Sequence, residues 1–249
     1  MPTLGERPDY LQDSLRSIRL IPQVFIVLIA PQEFAEANPE LRILTDAILA
    51  DPGTGLAAAI NLGVNSLPGN VEFFNWLGDD DLVFGPGYLE LEKAISAEST
   101  TAAVFGICRY IDADGGIFGT SRFGSVATSV LKVGPNYIPQ PATLFRKKSF
   151  IEVGGLDESL GLAFDLDMFL KLGKVGEIKF IDKLAASYRW HASSLSSALR
   201  DKSRLEARKV RKRYLPKTLI ALSVLWEAPQ EFIAKRYSYL DRAMKRRKH

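Results

Sequence analysis

The sequence has little of the chemistry that many small proteins use for covalent cross-links or soft metal sites. It contains one cysteine and two histidines, so an intrachain disulfide is ruled out and a cysteine-based zinc site is disfavoured. This cysteine usage suits a reducing compartment. The first residues have no apolar core typical of a signal peptide, and the longest apolar run near the C-terminus, residues 219–226, is far shorter than a bilayer span. We therefore expect a cytoplasmic protein.

The charge of the chain is close to balanced in total but is distributed unevenly. From Arg200 onward there are 16 Lys/Arg against 5 Asp/Glu, or +11, whereas residues 1–199 carry 16 against 24, or −8, which together give +3. A basic C-terminal segment indicates an anionic partner, either a membrane surface or a nucleic acid. The basic clusters 208–213 and 245–248 flank the apolar run, which suits peripheral attachment at the inner face of the membrane. A solvated helix explains the same pattern equally well.

The order of apolar patterns indicates the fold class. Helical spacing over residues 8–19 and 54–67 alternates with β-rich runs at 23–30 and 71–77, and a further helix begins at Pro86. Alternation of this kind predicts an α/β fold built on a mostly parallel, Rossmann-type sheet with helices on both faces. Ligands of such sheets bind at the carboxyl ends of the strands.

The second half of the chain has a less regular pattern. Its segments predict, in order, a strand, a hairpin turn, a loop over the cleft, a short strand, a helix and a pair of short strands, at residues 102–110, 112–116, 119–136, 142–145, 164–172 and 178–190.

Three consecutive carboxylates follow the apolar run that ends at Leu77. Asp79, Asp80 and Asp81 repel one another and are costly to bury unless a cation or hydrogen bonds compensate them. At the end of a strand they favour a site for Mg²⁺ or Mn²⁺, which take oxygen ligands and share them with substrate phosphates. Taken alone, the motif is explained equally well by an exposed acidic turn.

Seven ordered segments carry a pattern that extends beyond the aspartates: residues 2–18, 55–63, 76–81, 140–147, 154–158, 165–167 and 188–191. Together they resemble the family 2 glycosyltransferases, which are inverting, nucleotide-sugar-dependent enzymes with a GT-A fold. The resemblance covers roughly residues 2–197, and the aspartate segment looks like the DXD-type motif of that family. It implies a catalytic domain at 1–197 and a basic helical C-terminal extension at 198–249.

The resemblance also implies a role for each matching residue. Asp165 corresponds to the catalytic base, which accepts the proton of the acceptor hydroxyl. Asp80 is implied as the direct metal ligand, together with Asp81 and His191, and the cofactor as Mn²⁺ or Mg²⁺. The nucleotide-sugar side is assigned to Thr3, Arg7, Asn61, Asp79 and Arg189. The acceptor side is assigned to Gln140 and Asp167.

Two of these residues have simpler explanations when the resemblance is set aside. Asp165 has the position of an ordinary carboxylate near a helix N-terminus, which the helix dipole stabilises. His191 at a strand end is more often a structural residue than a ligand.

The resulting hypothesis is a metal-dependent hexosyltransferase that moves a sugar from a nucleotide-diphosphate donor to a glycan or lipid-linked hydroxyl acceptor, in cell-surface or polysaccharide synthesis. A non-catalytic relative that acts as a binding or partner protein is the main alternative. A nucleotidyltransferase is disfavoured because residues 1–20 contain only one glycine, Gly5. A nucleic-acid-binding module is disfavoured because the body is acidic and no recognisable nucleic-acid motif is present.

Overall fold

The computed structural model describes residues 1–121, 123–191 and 199–222. Its helices pack around a mixed sheet, as in an α/β fold. The helices are α1 (Pro8–Arg19), α2 (Gln32–Ala37), α3 (Leu41–Leu44), α4 (Leu56–Asn65), α5 (Gly85–Ser96), α6 (Val126–Val130), α7 (Lys147–Glu152), α8 (Phe164–Val175), α9 (Arg200–Tyr214) and α10 (Lys217–Leu222), with a 3-10 helix at Gln140–Ala142. The strands are β1 (Val27–Ala30), β2 (Ala47–Ala50), β3 (Phe73–Phe74), β4 (Leu82–Val83), β5 (Thr101–Ile111), β6 (Ile117–Thr120), β7 (Thr143–Arg146) and β8 (Glu177–Arg189).

The strands form two sheets. Strands β1 and β2 make a parallel pair, and the larger sheet has the order β3-β7-β5-β8-β4, with β6 paired to β5. Among the strands of the described residues, β1–β2 and β5–β8 are parallel pairs, whereas β3–β7, β4–β8, β5–β6 and β5–β7 are antiparallel. The predicted α/β class is therefore confirmed, but the sheet is mixed and not mostly parallel. A strand covered on both faces has the same apolar pattern in either pairing, so its direction could not be predicted from composition.

The long strand β8 differs from the predicted pair of short strands. It runs as one 13-residue strand along β5, from the pair Thr101 and Glu177 to the pair Ile111 and Arg189, with register shifts on the way. Asp182 and Lys183 lie exposed within it. Bulges bend a strand without ending it, which is why a charged pair typical of a turn lies inside one continuous element.

The first three residues extend the smaller sheet. Pro2 forms a parallel bridge to Ile29 of β1, the amide of Thr3 donates to the Ile29 carbonyl at 2.9 Å, and the Ile29 amide donates to the Met1 carbonyl at 2.8 Å. Strand β1 is fully buried. This pairing leads the chain to the carboxyl end of β1, where Thr3 and the residues before α1 meet the aspartates.

The main core joins the sheet to the C-terminal helices. The rings of Trp76 and Phe145 stack with centroids 4.6 Å apart, and Phe74 packs edge-on against Phe150 at 4.9 Å. Val210 of α9 is completely buried in the same cluster, with Tyr214 packed against it. The first described helix of the predicted basic extension is thus part of the core of the body.

The two basic clusters predicted to bind a membrane differ in what the structure describes of them. Of the basic cluster 208–213, Arg211 donates to the Gly134 carbonyl at 3.1 Å and Arg213 to Asp157 at 2.7 Å. The cluster 245–248 and the end of the apolar run lie outside the described residues. Within the described ranges, no helix is both long enough and apolar enough to cross a bilayer.

Candidate active site

Local structure places the three aspartates at the edge of the sheet. After β3 the chain continues through the buried Trp76 and Leu77 to Gly78. A Cβ atom on Gly78 would lie 2.7 Å from the Asp80 carboxylate, so a side chain there would displace this carboxylate. The turn that follows leads directly into β4.

Asp79 is buried and is held by the N-terminal loop. The Thr3 hydroxyl donates to Asp79 Oδ2 at 2.6 Å, and the Arg7 guanidinium donates to Asp79 Oδ1 at 2.7 Å. Burial raises the pKa of Asp79, while the Thr3 hydrogen bond and the charge of Arg7 act in the opposite direction. Three residues predicted for the nucleotide-sugar side are therefore in direct contact.

Asp80 lies at the centre of a cluster of polar side chains. Its Oδ2 is 2.8 Å from Nε2 of His191 and accepts from Nη1 of Arg7 at 2.9 Å. The same Nη1 is 3.1 Å from the His191 nitrogen. The Asp80 side chain is 14% exposed and that of His191 is 8% exposed, so both are shielded but remain reachable from solvent.

The pairing of β4 with β8 explains why these residues meet. Leu82 lies opposite Ser187 in this antiparallel pair, so each residue before β4 is matched by one further along β8. Extending the register places Arg189 opposite Asp80, with His191 just beyond the end of β8.

Asp81 faces inward, away from the cluster around Asp80. Its Oδ1 accepts the backbone amide of Arg189 at 2.9 Å, and the residue is 4% exposed. Burial, and next the charge of Asp80, raise the pKa of Asp81 well above its ordinary value. The contact fixes the end of β8 against the aspartate turn.

Arg189 connects the aspartate turn to the loop after β5. Its Nε donates to the Asp80 carbonyl at 3.0 Å, its Nη1 donates to the Ala113 carbonyl at 3.0 Å, and its guanidinium lies 4.4 Å from the centre of the Tyr10 ring. The residue is 5% exposed. These contacts join the guanidinium of Arg189 to other parts of the protein. Arg189 therefore stabilises the aspartate turn, next to the residues predicted to bind the nucleotide sugar.

Asp165 lies in the first turn of helix α8. Its Oδ1 accepts the amide of Leu166 at 2.7 Å, and its Oδ2 accepts from the Asn136 side chain at 3.0 Å. Burial is the largest influence on this group and raises the pKa of Asp165. A raised pKa makes a carboxylate a better proton acceptor near neutral pH.

Gln140 links the acceptor-side loop to the strand that carries the aspartates. Its Nε2 donates to Asn75 Oδ1 at 2.8 Å and also to the Trp76 carbonyl. Both partners lie between β3 and Gly78. The loop that contains Asn136 and Gln140 thus connects Asp165 to the aspartate turn.

Two predicted site residues, Asn61 and Asp167, have most of their contacts away from the aspartate turn. Asn61 bonds the turn after α7, where its amide donates to the Leu156 carbonyl at 3.0 Å and its oxygen accepts from the Leu156 amide at 2.9 Å. Asp167 is 1% exposed, accepts from the Tyr214 hydroxyl at 2.7 Å and pairs with Lys171 at 3.0 Å. These contacts place Asp167 against α9, on the side of α8 that packs into the core.

Asp80 and His191 provide a donor set that fits a divalent cation. A carboxylate oxygen and an imidazole nitrogen converge to 2.8 Å, and Mn²⁺ accepts both ligand types. Across the described ranges, no three His, Cys, Asp or Glu side chains form a cluster that would hold a metal ion by themselves. Mg²⁺ and Mn²⁺ often use one or two protein ligands when substrate phosphates and water complete the coordination.

Three residues near the site were not predicted from the sequence. Asn136 bonds Asp165, Tyr10 stacks on Arg189, and Glu206 of α9 binds the backbone before α8. Tyr10 lies in a segment that carries the resemblance and was detectable there. Asn136 and Glu206 act through long-range contacts, for which one sequence contains no signal.

The sequence is similar to several glycosyltransferases. It is 28% identical over 160 residues to a chondroitin synthase and to a hyaluronan synthase of Pasteurella multocida, in a region that is 64% of this chain and 16% of either synthase. It is 26% identical over 153 residues to an uncharacterized glycosyltransferase of Rickettsia conorii, covering 58% of this chain and 25% of that protein. The chain therefore spans a quarter or less of these relatives. No protein-family model matches it.

Two solved structures have the same fold. A crystal structure of S. aureus TarS matches 90% of this chain and 64% of its own, with a TM-score of 0.59 and 14% identity. The mannosyltransferase PcManGT of Pyrobaculum calidifontis, solved with GDP-Man and Mn²⁺, matches 85% and 62% with a TM-score of 0.59 and 14% identity. The chain is thus similar in sequence to glycosyltransferases, and its fold is the GT-A-like fold of these two solved structures.

Proposed function

We propose that this chain transfers a sugar from a nucleotide-diphosphate sugar to a hydroxyl acceptor, with inversion, in the synthesis of a polysaccharide or cell-surface glycan. One observation carries the proposal. Asp80 and His191 converge at the sheet edge, directly beside the N-terminal loop, as a site for a diphosphate and its cation requires. The proposal is supported by the sequence similarity to a chondroitin synthase and a hyaluronan synthase, and by the shared fold with a mannosyltransferase.

The metal would be held by Asp80 and His191, with Mn²⁺ or Mg²⁺ as the cofactor. When bound, such an ion neutralises the negative charge that develops on the departing diphosphate. Arg7 provides a positive charge at the same place, since its guanidinium contacts both Asp79 and Asp80. Asp81, which is held by the Arg189 amide, keeps the turn in position and is left out of our ligand set.

Asp165 would act as the general base. A sugar hydroxyl is a weak nucleophile until its proton is accepted as the new bond forms. In the proposed step the acceptor oxygen attacks the anomeric carbon, the bond from that carbon to the diphosphate oxygen breaks, and the hydroxyl proton moves to the Asp165 carboxylate. Attack opposite to the leaving group inverts the anomeric centre in a single displacement.

The division of the chain is part of the proposal. Residues 1–197 would form the catalytic domain, and residues 198–249 the basic C-terminal extension, whose described helix α9 docks on that domain through Val210. A glycan or lipid-linked acceptor and peripheral contact with an anionic membrane through cluster 245–248 stay predictions. A vesicle sedimentation assay with and without anionic lipid tests the membrane contact.

The first test is thermal unfolding with a panel of nucleoside diphosphates, each with and without Mn²⁺. A ligand at about one hundred times its dissociation constant stabilises the fold by roughly 2.7 kcal/mol. We expect a shift for one nucleotide that requires Mn²⁺ and disappears in Asp80→Ala.

The matched control is Asp114→Asn in the exposed turn between β5 and β6, which should keep the full shift. Transfer is then measured with sugar donors of the selected nucleotide, and Asp165→Asn should bind the nucleotide normally but lose transfer. The absence of any shift would favour the non-catalytic alternative. Normal transfer by Asp165→Asn would refute its role as the base.

A further inference from the structure

A carboxylate from the C-terminal helix binds the backbone just before the catalytic helix. Glu206 of α9 accepts the amides of Leu162 and Ala163 at 2.6 Å each and that of Gly161 at 3.1 Å. Helix α8 has no side-chain cap of its own, because its first flanking residue is Ala163. Free amides at a helix N-terminus favour an anion. Glu206, about 40 residues further along the chain, therefore acts as a cap on the turn that leads into α8, and its contacts end at the flanking residue Ala163.

Helix α9 is itself fixed to the body on the C-terminal side of Glu206. Val210 is completely buried in the main core. Arg213 binds Asp157 at 2.7 Å, and the Tyr214 hydroxyl donates to Asp167 at 2.7 Å. The helix that carries Glu206 is thus packed against the body of the protein.

The same helix also holds the loop on the other side of Asp165. Arg211 is 9% exposed and its guanidinium donates to the Gly134 carbonyl at 3.1 Å. Two residues later, Asn136 donates to Asp165 Oδ2. Both supports of the Asp165 carboxylate, the start of α8 and the loop with Asn136, are therefore attached to α9.

We propose that α9 works as a clamp on the general base and that Glu206 is its positioning residue, which fixes the start of α8 so that the Asp165 carboxylate faces the acceptor hydroxyl. The inference rests on the proposed function, in which Asp165 is the base. It assigns the first part of the basic extension to catalysis, a role that its charge pattern does not suggest.

The electrostatics of the clamp agree with its geometry. The groups that act on Asp165 are the amide of Leu166, the Asn136 side chain, its own backbone amide and the carboxylate of Glu206. Burial and the negative charge of Glu206 raise the pKa of Asp165, whereas the hydrogen bonds lower it. Removing the Glu206 charge should therefore lower the pKa of Asp165.

The test compares Glu206→Gln with Asp201→Asn in the full chain. Glutamine keeps the shape and one acceptor oxygen but removes the charge. Asp201→Asn removes a charge of the same sign from the same helix, at a side chain that is 81% exposed and, among the described residues, pairs with Arg204 one turn away. Two readouts are used: the pH profile of kcat for sugar transfer, and the carbon-13 titration of the Asp165 carboxyl, assigned with Asp165→Asn.

We expect Glu206→Gln to move the acid limb of the kcat profile and the Asp165 titration to lower pH, with the donor KM within about twofold of wild type. Glu206→Ala, which removes the cap, should lower kcat by roughly ten- to a hundredfold with little change in donor KM, because a small displacement of a base is costly. Asp201→Asn should match wild type in every readout.

The outcomes separate the clamp from the proposed function. If Glu206→Gln behaves like Asp201→Asn in both readouts, the clamp is overturned. If the wild-type chain transfers no sugar but the Asp165 titration moves in Glu206→Gln alone, the positioning contact is supported and the glycosyltransferase proposal fails. A loss of thermal stability in Glu206→Gln with an unchanged titration and pH profile would also overturn the clamp.

Discussion

The hydrogen bond from Thr3 to Asp79 gives a quantitative test of how the site is held together. Thr3 is 5% exposed and Asp79 is 4% exposed, and the bond between them measures 2.6 Å. Thr3→Val keeps the shape of the side chain but leaves a buried carboxylate oxygen without its donor. A hydrogen bond to a charged group is worth about 1.5–3 kcal/mol. For a chain of this size, each kcal/mol corresponds to roughly 2–4 °C in Tm, so we expect a fall of about 3–12 °C at neutral pH.

The effect of Thr3→Val should depend on pH in a defined direction. Burial raises the pKa of Asp79 and the Thr3 hydroxyl opposes this, so the variant raises the pKa further. A folded pKa above the unfolded value means that stability falls as pH rises through that interval. The destabilisation by Thr3→Val should therefore be largest at neutral pH and smaller in acid, where Asp79 is protonated in both the folded and the unfolded chain.

Thr101→Val provides the matched control. Thr101 is also completely buried, but its hydroxyl has no hydrogen-bond partner among the described residues. Removing an unsatisfied buried hydroxyl should leave Tm unchanged or raise it. Thermal unfolding of both variants at pH 4 and 7 decides the matter. Equal Tm changes for the two substitutions, or a loss in Thr3→Val that is the same at both pH values, would refute the assigned role of Thr3.

Three further predictions concern stability. Because burial raises the pKa of Asp165, its charged form opposes folding at neutral pH, so Asp165→Asn should raise Tm at pH 7, with the gain disappearing below about pH 4; a lower Tm at pH 7 would contradict this. Val210→Ala should lower the unfolding free energy by about 2 kcal/mol in urea titration, and a change under about 0.5 kcal/mol would mean that α9 does not pack into the core. Arg189→Lys should lower the free energy of unfolding by roughly 1.5–3 kcal/mol, because lysine cannot reach both the Asp80 and the Ala113 carbonyls while stacking on Tyr10. Wild-type stability in guanidinium denaturation would exclude this stabilising role of Arg189.

Elements with a strong local signal were predicted correctly. Helix α1 has the predicted bounds, Pro8–Arg19, because proline suits its first turn and the apolar residues repeat at helical spacing. Strand β5 was predicted at 102–110 and runs over Thr101–Ile111. The hairpin turn between β5 and β6 also lies where predicted. In each case the determining interactions join residues that are near one another in the chain.

Elements that depend on distant partners were predicted less well. Strand β2, Ala47–Ala50, is a run of four apolar residues that are only partly buried or exposed, and a run this short does not predict its pairing with β1. The segment predicted as a loop at 119–136 contains the short helix α6. A short element forms because its neighbours pack against it, and this information lies outside its own sequence window.

The candidate site divides in the same way. Asp79, Asp80 and Asp81 were found from the chain alone, because three adjacent carboxylates at the end of an apolar run are unusual chemistry wherever they lie. The contact of His191 with Asp80 required the resemblance to predict it, and the structure explains it through the antiparallel register of β4 and β8. Asn61 was placed on the nucleotide side, yet its bonds hold the turn at Leu156.

Residue types and their local spacing therefore established the α/β class and the acidic turn, whereas Asp165 became the general-base candidate only through the resemblance. The mixed sheet, the inward position of Asp81 and the capping of α8 by Glu206 were set by the packing of distant segments. A carboxylate has the same sequence signature whether it faces solvent, a cation or a backbone amide. Which of these it faces depends on strand register and on helix docking, and these are fixed only when the whole chain buries its apolar surface.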